Sequence, residues 1–120
     1  MLTLHEVLAD TAASPGFEAI GEVGINTRGN GGESPLHWMS TLGDSKAVRL
    51  LLEAGAAIDA TDKHGNTPLH EAVSGRHTQA AQALIEHGAS IGIKNSRGQT
   101  VKDIAREEGF EPVVLLFQRP

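Results

Sequence analysis

Cysteine is absent from this 120-residue chain, which excludes disulfides and thiolate-held metals. Aromatic residues are scarce: Phe17, Trp38, Phe110 and Phe117, with no tyrosine, make up 3% of the chain. A core must therefore come from Leu, Ile, Val and Ala. Abundant Ala beside Leu favours closely packed helices over a sheet sandwich. No window approaches a membrane span. The opening residues Met1-Leu2-Thr3-Leu4-His5-Glu6 carry neither the basic run nor the apolar stretch of a secretory leader, so a cytoplasmic protein is expected. Positive charge is also short. The formal net charge of −5 argues against the basic patch of a nucleic-acid binder. The deficit lies mostly in residues 1–33, where Glu6, Asp10, Glu18, Glu22 and Glu33 face Arg28 alone. Such an acidic end either solvates a capping surface or meets a basic partner.

What is present is a period of 33 residues. Asp62-Lys63-His64-Gly65-Asn66-Thr67-Pro68-Leu69-His70 aligns one period back with Gly29-Asn30-Gly31-Gly32-Glu33-Ser34-Pro35-Leu36-His37. One period on, it aligns with Asn95-Ser96-Arg97-Gly98-Gln99-Thr100-Val101-Lys102-Asp103. Glu53-Ala54-Gly55-Ala56 matches Glu86-His87-Gly88-Ala89, and Ile25, Ile58 and Ile91 keep the same phase. Each recurring residue has a local reason. Ser34 and Thr67 can cap a helix start, and Pro35 and Pro68 suit its first position, where a missing N–H costs nothing. Leu36 and Leu69 point to a core, and His37 and His70 lie within reach of the entering loop. Gly32, Gly65 and Gly98 suit a turn with positive φ, while Gly55 and Gly88 suit a left-handed stop after a helix. Val48, Leu51 and Leu52 form one helical face, as do Ala80, Ala81, Leu84 and Ile85 in the next unit.

These motifs resemble the ankyrin repeat, whose pattern runs Gly-x-Thr-Pro-Leu-His, a short helix, a second helix, then Gly-Ala before a hairpin loop. The resemblance implies an all-α ankyrin-repeat solenoid of about four helix-turn-helix units with short β-hairpin-like loops. The expected division is a degenerate N-terminal cap over 1–29, repeats over 30–62 and 63–95, and a C-terminal capping repeat over 96–120. In the first cap, Leu4, Val7 and Leu8 suit one helix and Phe17, Ile20 and Val23 a second, around a Ser14-Pro15-Gly16 turn. In the last, Val101, Lys102 and Asp103 replace Pro, Leu and His, and Val113 to Phe117 form a final apolar helix. Arg76 stands where Gly43 and Gly109 predict glycine. With Gly75 one place earlier, a different turn is expected there.

The repeat also absorbs most apparent chemistry. His37 and His70 belong to it. His5, His64, His77 and His87 fall in different units without His-x-x-x-His spacing, so no metal site is expected. Gly29-Asn30-Gly31-Gly32-Glu33-Ser34 looks like a phosphate loop, but it lacks the lysine, and Glu33 would repel phosphate. No nucleophile elbow or paired carboxylates around a cleft appear, so neither an enzyme nor a cofactor is expected.

The resemblance implies protein binding through loop tips and the exposed face of the first helices. By position, Asn30, Gly31, Glu33, Trp38, Thr41 and Leu42 fall there in the first full unit. Lys63, His64, Asn66, Glu71 and Ser74 follow in the next, then Ser96, Arg97, Gln99 and Ile104. Trp38 is the leading candidate, because it follows the Leu-His pair where the family varies. It either anchors a partner or packs against the N-terminal cap. The expected partner is another protein, with a basic toxin or enzyme neutralised by an immunity-type complex as the specific case. Neither nucleic acid nor membrane is expected, and the unbound chain is expected to be a monomer. A structural or self-associating array is the competing reading.

Overall fold

The computed structural model describes residues 2–14, 16–17 and 23–109. Six α-helices follow in order: α1 (Leu4–Ala12), α2 (Pro35–Leu42), α3 (Ser45–Glu53), α4 (Pro68–Ser74), α5 (Thr78–Glu86) and α6 (Val101–Glu108). Helices α2, α4 and α6 stack in one row and α3 and α5 in a second, with α1 against both α2 and α3. The arrangement is all-α and of the helical-repeat solenoid type. The second cap helix expected around Phe17, Ile20 and Val23 falls mostly on 18–22, and the expected final apolar helix on 113–117; these two stretches lie outside the described residues.

The first-row helices start the same way. Ser34 Oγ accepts the His37 amide at 3.3 Å while His37 Nδ1 accepts the Ser34 amide at 3.1 Å. Thr67 and His70 repeat this box with the same two distances. Asp103 replaces histidine in α6 and still closes the box, its Oδ2 accepting the Thr100 amide at 3.0 Å. Two donors left over at each helix start are thereby satisfied.

A backbone N–H can only donate, so Nδ1 of His37 is the bare nitrogen and Nε2 carries the proton. That proton is donated to the carbonyl of Asn66, 2.7 Å away at the end of the next loop. His70 reaches the carbonyl of Gln99 in the same way at 3.0 Å. The expected bond back to the entering loop is present, and the same ring also ties one repeat to the next. Asn26 Oδ1 accepts the Ala57 amide and Asp59 Oδ1 accepts the Ser90 amide, both at 3.0 Å, so a second 33-residue series crosses the repeats.

Beneath these bonds, Leu36, Met39, Val48, Leu51, Leu69, Val73 and Leu84 form a continuous core, with small Ala47, Ala72, Ala80, Ala81 and Ala83 letting the helices approach. Val7 of α1 joins that core, and Val101, Ile104 and Ala105 of α6 extend it. Each pair of helices buries its apolar face only against its neighbours, so stacking supplies the stability that one unit lacks.

One expectation goes without support and one needs correction. Among the described residues there are no strands to support hairpin pairing in the loops. Each tip closes on itself (Asp62 amide to Asn66 carbonyl, 3.0 Å) and is joined to the next by one backbone bond: Lys63 to Gly31 and Ser96 to His64, both 2.9 Å. A single bond per pair builds no ladder. The turn at Arg76 is also not altered. Arg76 itself takes φ +60°, matching +75° at Gly43 and +65° at Gly109, while Gly75 is right-handed at −84°. The αL stop belongs to the phase of the repeat, and arginine accepts its strain. The Arg76 side chain partly offsets that strain by reaching the carbonyl and carboxylate of Glu108.

Arg76→Gly should therefore raise stability by about 0.5–1 kcal/mol, since the left-handed conformation costs a side chain about 1 kcal/mol and an exposed ion pair returns less; urea unfolding measures it, and a loss of stability would contradict the strained-turn account. His37→Ala should cost about 3 kcal/mol, because it opens a cavity, leaves the buried Ser34 amide without its partner and removes one of the two donors to the Asn66 carbonyl.

His37 also predicts a pH dependence. Burial, the largest influence, pushes its pKa below the ordinary 6.5, against the opposing pull of the Asn66 carbonyl and Asp62. The unfolded chain then takes up a proton that the folded ring refuses. Stability should fall as pH drops below about 6.5, the loss continuing until the folded ring titrates. Urea midpoints between about pH 7.5 and 5.5, beside an NMR titration of the His37 ring, should show the decline and a depressed ring pKa.

Candidate functional site

The loop tips and the first-row helices enclose two adjoining grooves. The first, of about 400 Å³, is lined by residues that include Trp38 and Thr41 on α2, Glu71 on α4, and Glu33, Asp62, Lys63 and His64 from the tips; Phe17 lies at its cap side. The second, of about 450 Å³, lies between the next two tips, with Asn66, Ser74, Arg97, Gln99, Glu107 and Glu108 on its walls. His64 belongs to both.

Of the residues expected from sequence, Glu33, Trp38, Thr41, Lys63, His64 and Glu71 thus gather on the first groove. Asn66, Ser74 and Arg97 line the second. Leu42 lines neither; it is 53% exposed at the end of α2, a large apolar side chain in solvent. Ile104 also lines the second groove, but it shares the repeat position of Trp38 and Glu71 with only 7% exposure and belongs to the core cluster. Its branched apolar side chain gains by turning inward, whereas Glu71 would lose its hydration there. Trp38 packs partly on the core, and it also lines the first groove.

The first groove is acidic at its floor. Asp62 Oδ1 accepts the amides of His64 (2.9 Å) and Asn66 (3.0 Å), which fixes the turn. Asn95 repeats that arrangement one unit later with the amides of Arg97 and Gln99. Glu71 Oε2 accepts the Thr41 hydroxyl at 3.3 Å. Burial pushes the Glu71 carboxyl above its usual range and the nearby Asp62 charge adds to this, while the Thr41 hydroxyl and His64 pull it back. The physical cause is a carboxylate that has lost water beside another carboxylate.

The glycine-rich segment has a role that its pattern does not reveal. The Glu33 carboxylate occupies the space where side chains at Gly16, Gly29 and Gly31 would stand. The loop is thus a cradle filled by the chain's own anion. The sequence signal was Glu33 within a run of glycines, which on its own reads only as repulsion of phosphate.

The three glycines are not equivalent. A Cβ at Gly29 would also meet the Gly16 carbonyl at 2.8 Å, a backbone atom that cannot swing away, whereas at Gly31 it meets only the mobile ends of Glu33 and Lys63. Gly29→Ala should therefore cost about 1–3 kcal/mol and Gly31→Ala much less. Thermal melts of both variants check this; equal effects would contradict the cradle.

Among the described residues, no group of three or more His, Asp or Glu is placed to hold a metal ion, and no helix is long and apolar enough to cross a membrane. A family model described as ankyrin repeats in three copies matches residues 11–95, which is more than half of the chain. Comparison with curated proteins gives no match. The ankyrin-repeat fold is a non-catalytic scaffold.

Proposed function

The chain belongs to the ankyrin-repeat family, and we propose that it is a protein-binding module that seats its partner along the two grooves and the loop tips. The observation that carries this reading is Trp38. The repeat needs Leu36 for the core and His37 for the tie to the next unit. It does not need a tryptophan beside them, yet one is there, half-buried and walling a groove. A large ring held by packing on one side and open on the other gains area on binding at little entropic cost, as interface anchors do. Glu71 at the same position of the next repeat, together with Thr41, Lys63 and His64, surrounds it with polar groups that set orientation.

The finer reading is a cytoplasmic, immunity-type protein that neutralises a basic toxin or enzyme. The net charge of −5 and the acidic excess in residues 1–33 support it, since opposite charge steers a basic partner and raises its association rate. On this reading the unbound chain is a monomer, and nucleic acid and membranes are not ligands.

Affinity capture from extract of the native cells, followed by a titration of the purified partner, tests the proposal. Trp38→Ala should weaken binding by more than about tenfold. Unchanged affinity would remove Trp38 from the interface, and a self-associated array in light scattering would favour a structural role instead.

A further inference from the structure

The first groove carries more chemical information than an anchor site needs. Three carboxylates, Glu33, Asp62 and Glu71, line it against one lysine, Lys63. Among the described residues the salt bridges are Arg49–Glu86 and Arg76–Glu108, both elsewhere, so Lys63 neutralises none of the three. Asp62 and Glu71 line the same groove, and the Asp62 charge adds to the burial that pushes the Glu71 carboxyl above its usual range. Two carboxylates sharing one groove, Glu71 partly stripped of water, form an arrangement that an incoming cation would relieve. Trp38 lines the same groove as its aromatic wall.

We propose that this groove seats an arginine side chain of the protein partner, its guanidinium bridging Asp62 and Glu71 and its flat face lying on the Trp38 ring. The inference rests on the reading of the grooves as a protein-binding surface. Arginine fits better than lysine on three counts. Its planar fork of donors can reach two carboxylates at once, it is more weakly hydrated than an ammonium, and it stacks on an aromatic ring. The Asp62 oxygen that fixes the turn is already engaged by two amides, which leaves Oδ2 as the natural acceptor beside Glu71. The Thr41 hydroxyl, shared between the His37 carbonyl at 3.0 Å and Glu71 Oε2 at 3.3 Å, helps hold the Glu71 carboxylate in place before the cation arrives. Lys63 sits at the rim, where its charge disfavours a second cation and limits the seat to one.

Trp38 is the only tryptophan and the chain has no tyrosine, so intrinsic emission reports on this groove alone. The full chain is titrated with a short arginine-rich peptide and with its lysine and citrulline counterparts. The arginine peptide should give a saturable change in emission, the lysine peptide a several-fold weaker one, and the uncharged citrulline peptide none. Glu71→Gln should weaken arginine-peptide binding by about tenfold. Asp62→Asn should weaken it too while keeping the turn, because asparagine already serves there as Asn95 one repeat later. Glu53→Gln, an equal charge change at an exposed position on α3, should leave affinity within about twofold. Circular dichroism of each variant checks that the fold is kept. No response to the arginine peptide, or equal losses in Glu71→Gln and Glu53→Gln, overturns the seat. A captured partner that depends on Trp38 but not on Glu71 overturns it as well, while leaving protein binding intact. If the arginine response is found as described but no partner depends on Trp38, the seat stands and the proposed function is what fails.

Discussion

One histidine contact organises the molecule: a buried ring that accepts a bond from its own helix start and donates one to the loop of the next repeat. His37 and His70 each hold both bonds with a single proton on Nε2. The ring ties each first-row helix to the loop of the next unit. His37 itself is among the residues lining the first groove. Where Asp103 takes the place of histidine, the helix start is still closed, its carboxylate accepting the Thr100 amide.

The scaffold and the candidate site draw mostly on different residues. Leu36, Leu69, the small alanines and the capping pairs serve the stack and recur with its period. Trp38, Glu71 and Ile104 share one repeat position and have three different chemistries, so the same backbone offers an aromatic wall, a desolvated carboxylate and a core residue in succession. Variation at that position changes what the surface can bind without changing how the repeats pack.

Much of the fold was legible because its signals are local. Thr67-Pro68-Leu69-His70 contains its own cap, first-turn residue, core contact and box partner, and the glycines at positive φ fall where the period puts them. What the period does not contain was harder to see. The Asn66 and Gln99 carbonyls that His37 and His70 reach are backbone atoms 29 residues away, and a backbone acceptor leaves no mark in composition. The turn at Arg76 was misjudged because residue type was read there instead of phase. Ile104 lines the second groove as its position implies, but its apolar side chain is mostly taken up in the core. In the candidate site, sequence position brought Trp38, Glu71 and the tip residues to one side of the stack, where they line grooves. It could not show that they divide between two grooves, that Leu42 lies apart from both, or that Glu33 fills its own glycine cradle.

The central claim is that partners meet the grooves and tips, not the second-row helices. Amide hydrogen exchange on the complex with its captured partner tests this most directly. The account predicts new protection at the tips around Gly31 and His64 and along α2 and α4, with α3 and α5 unchanged beyond their free-state rates. Protection confined to the outer faces of α3 and α5, with the Trp38 groove still exchanging as in the free chain, would contradict it.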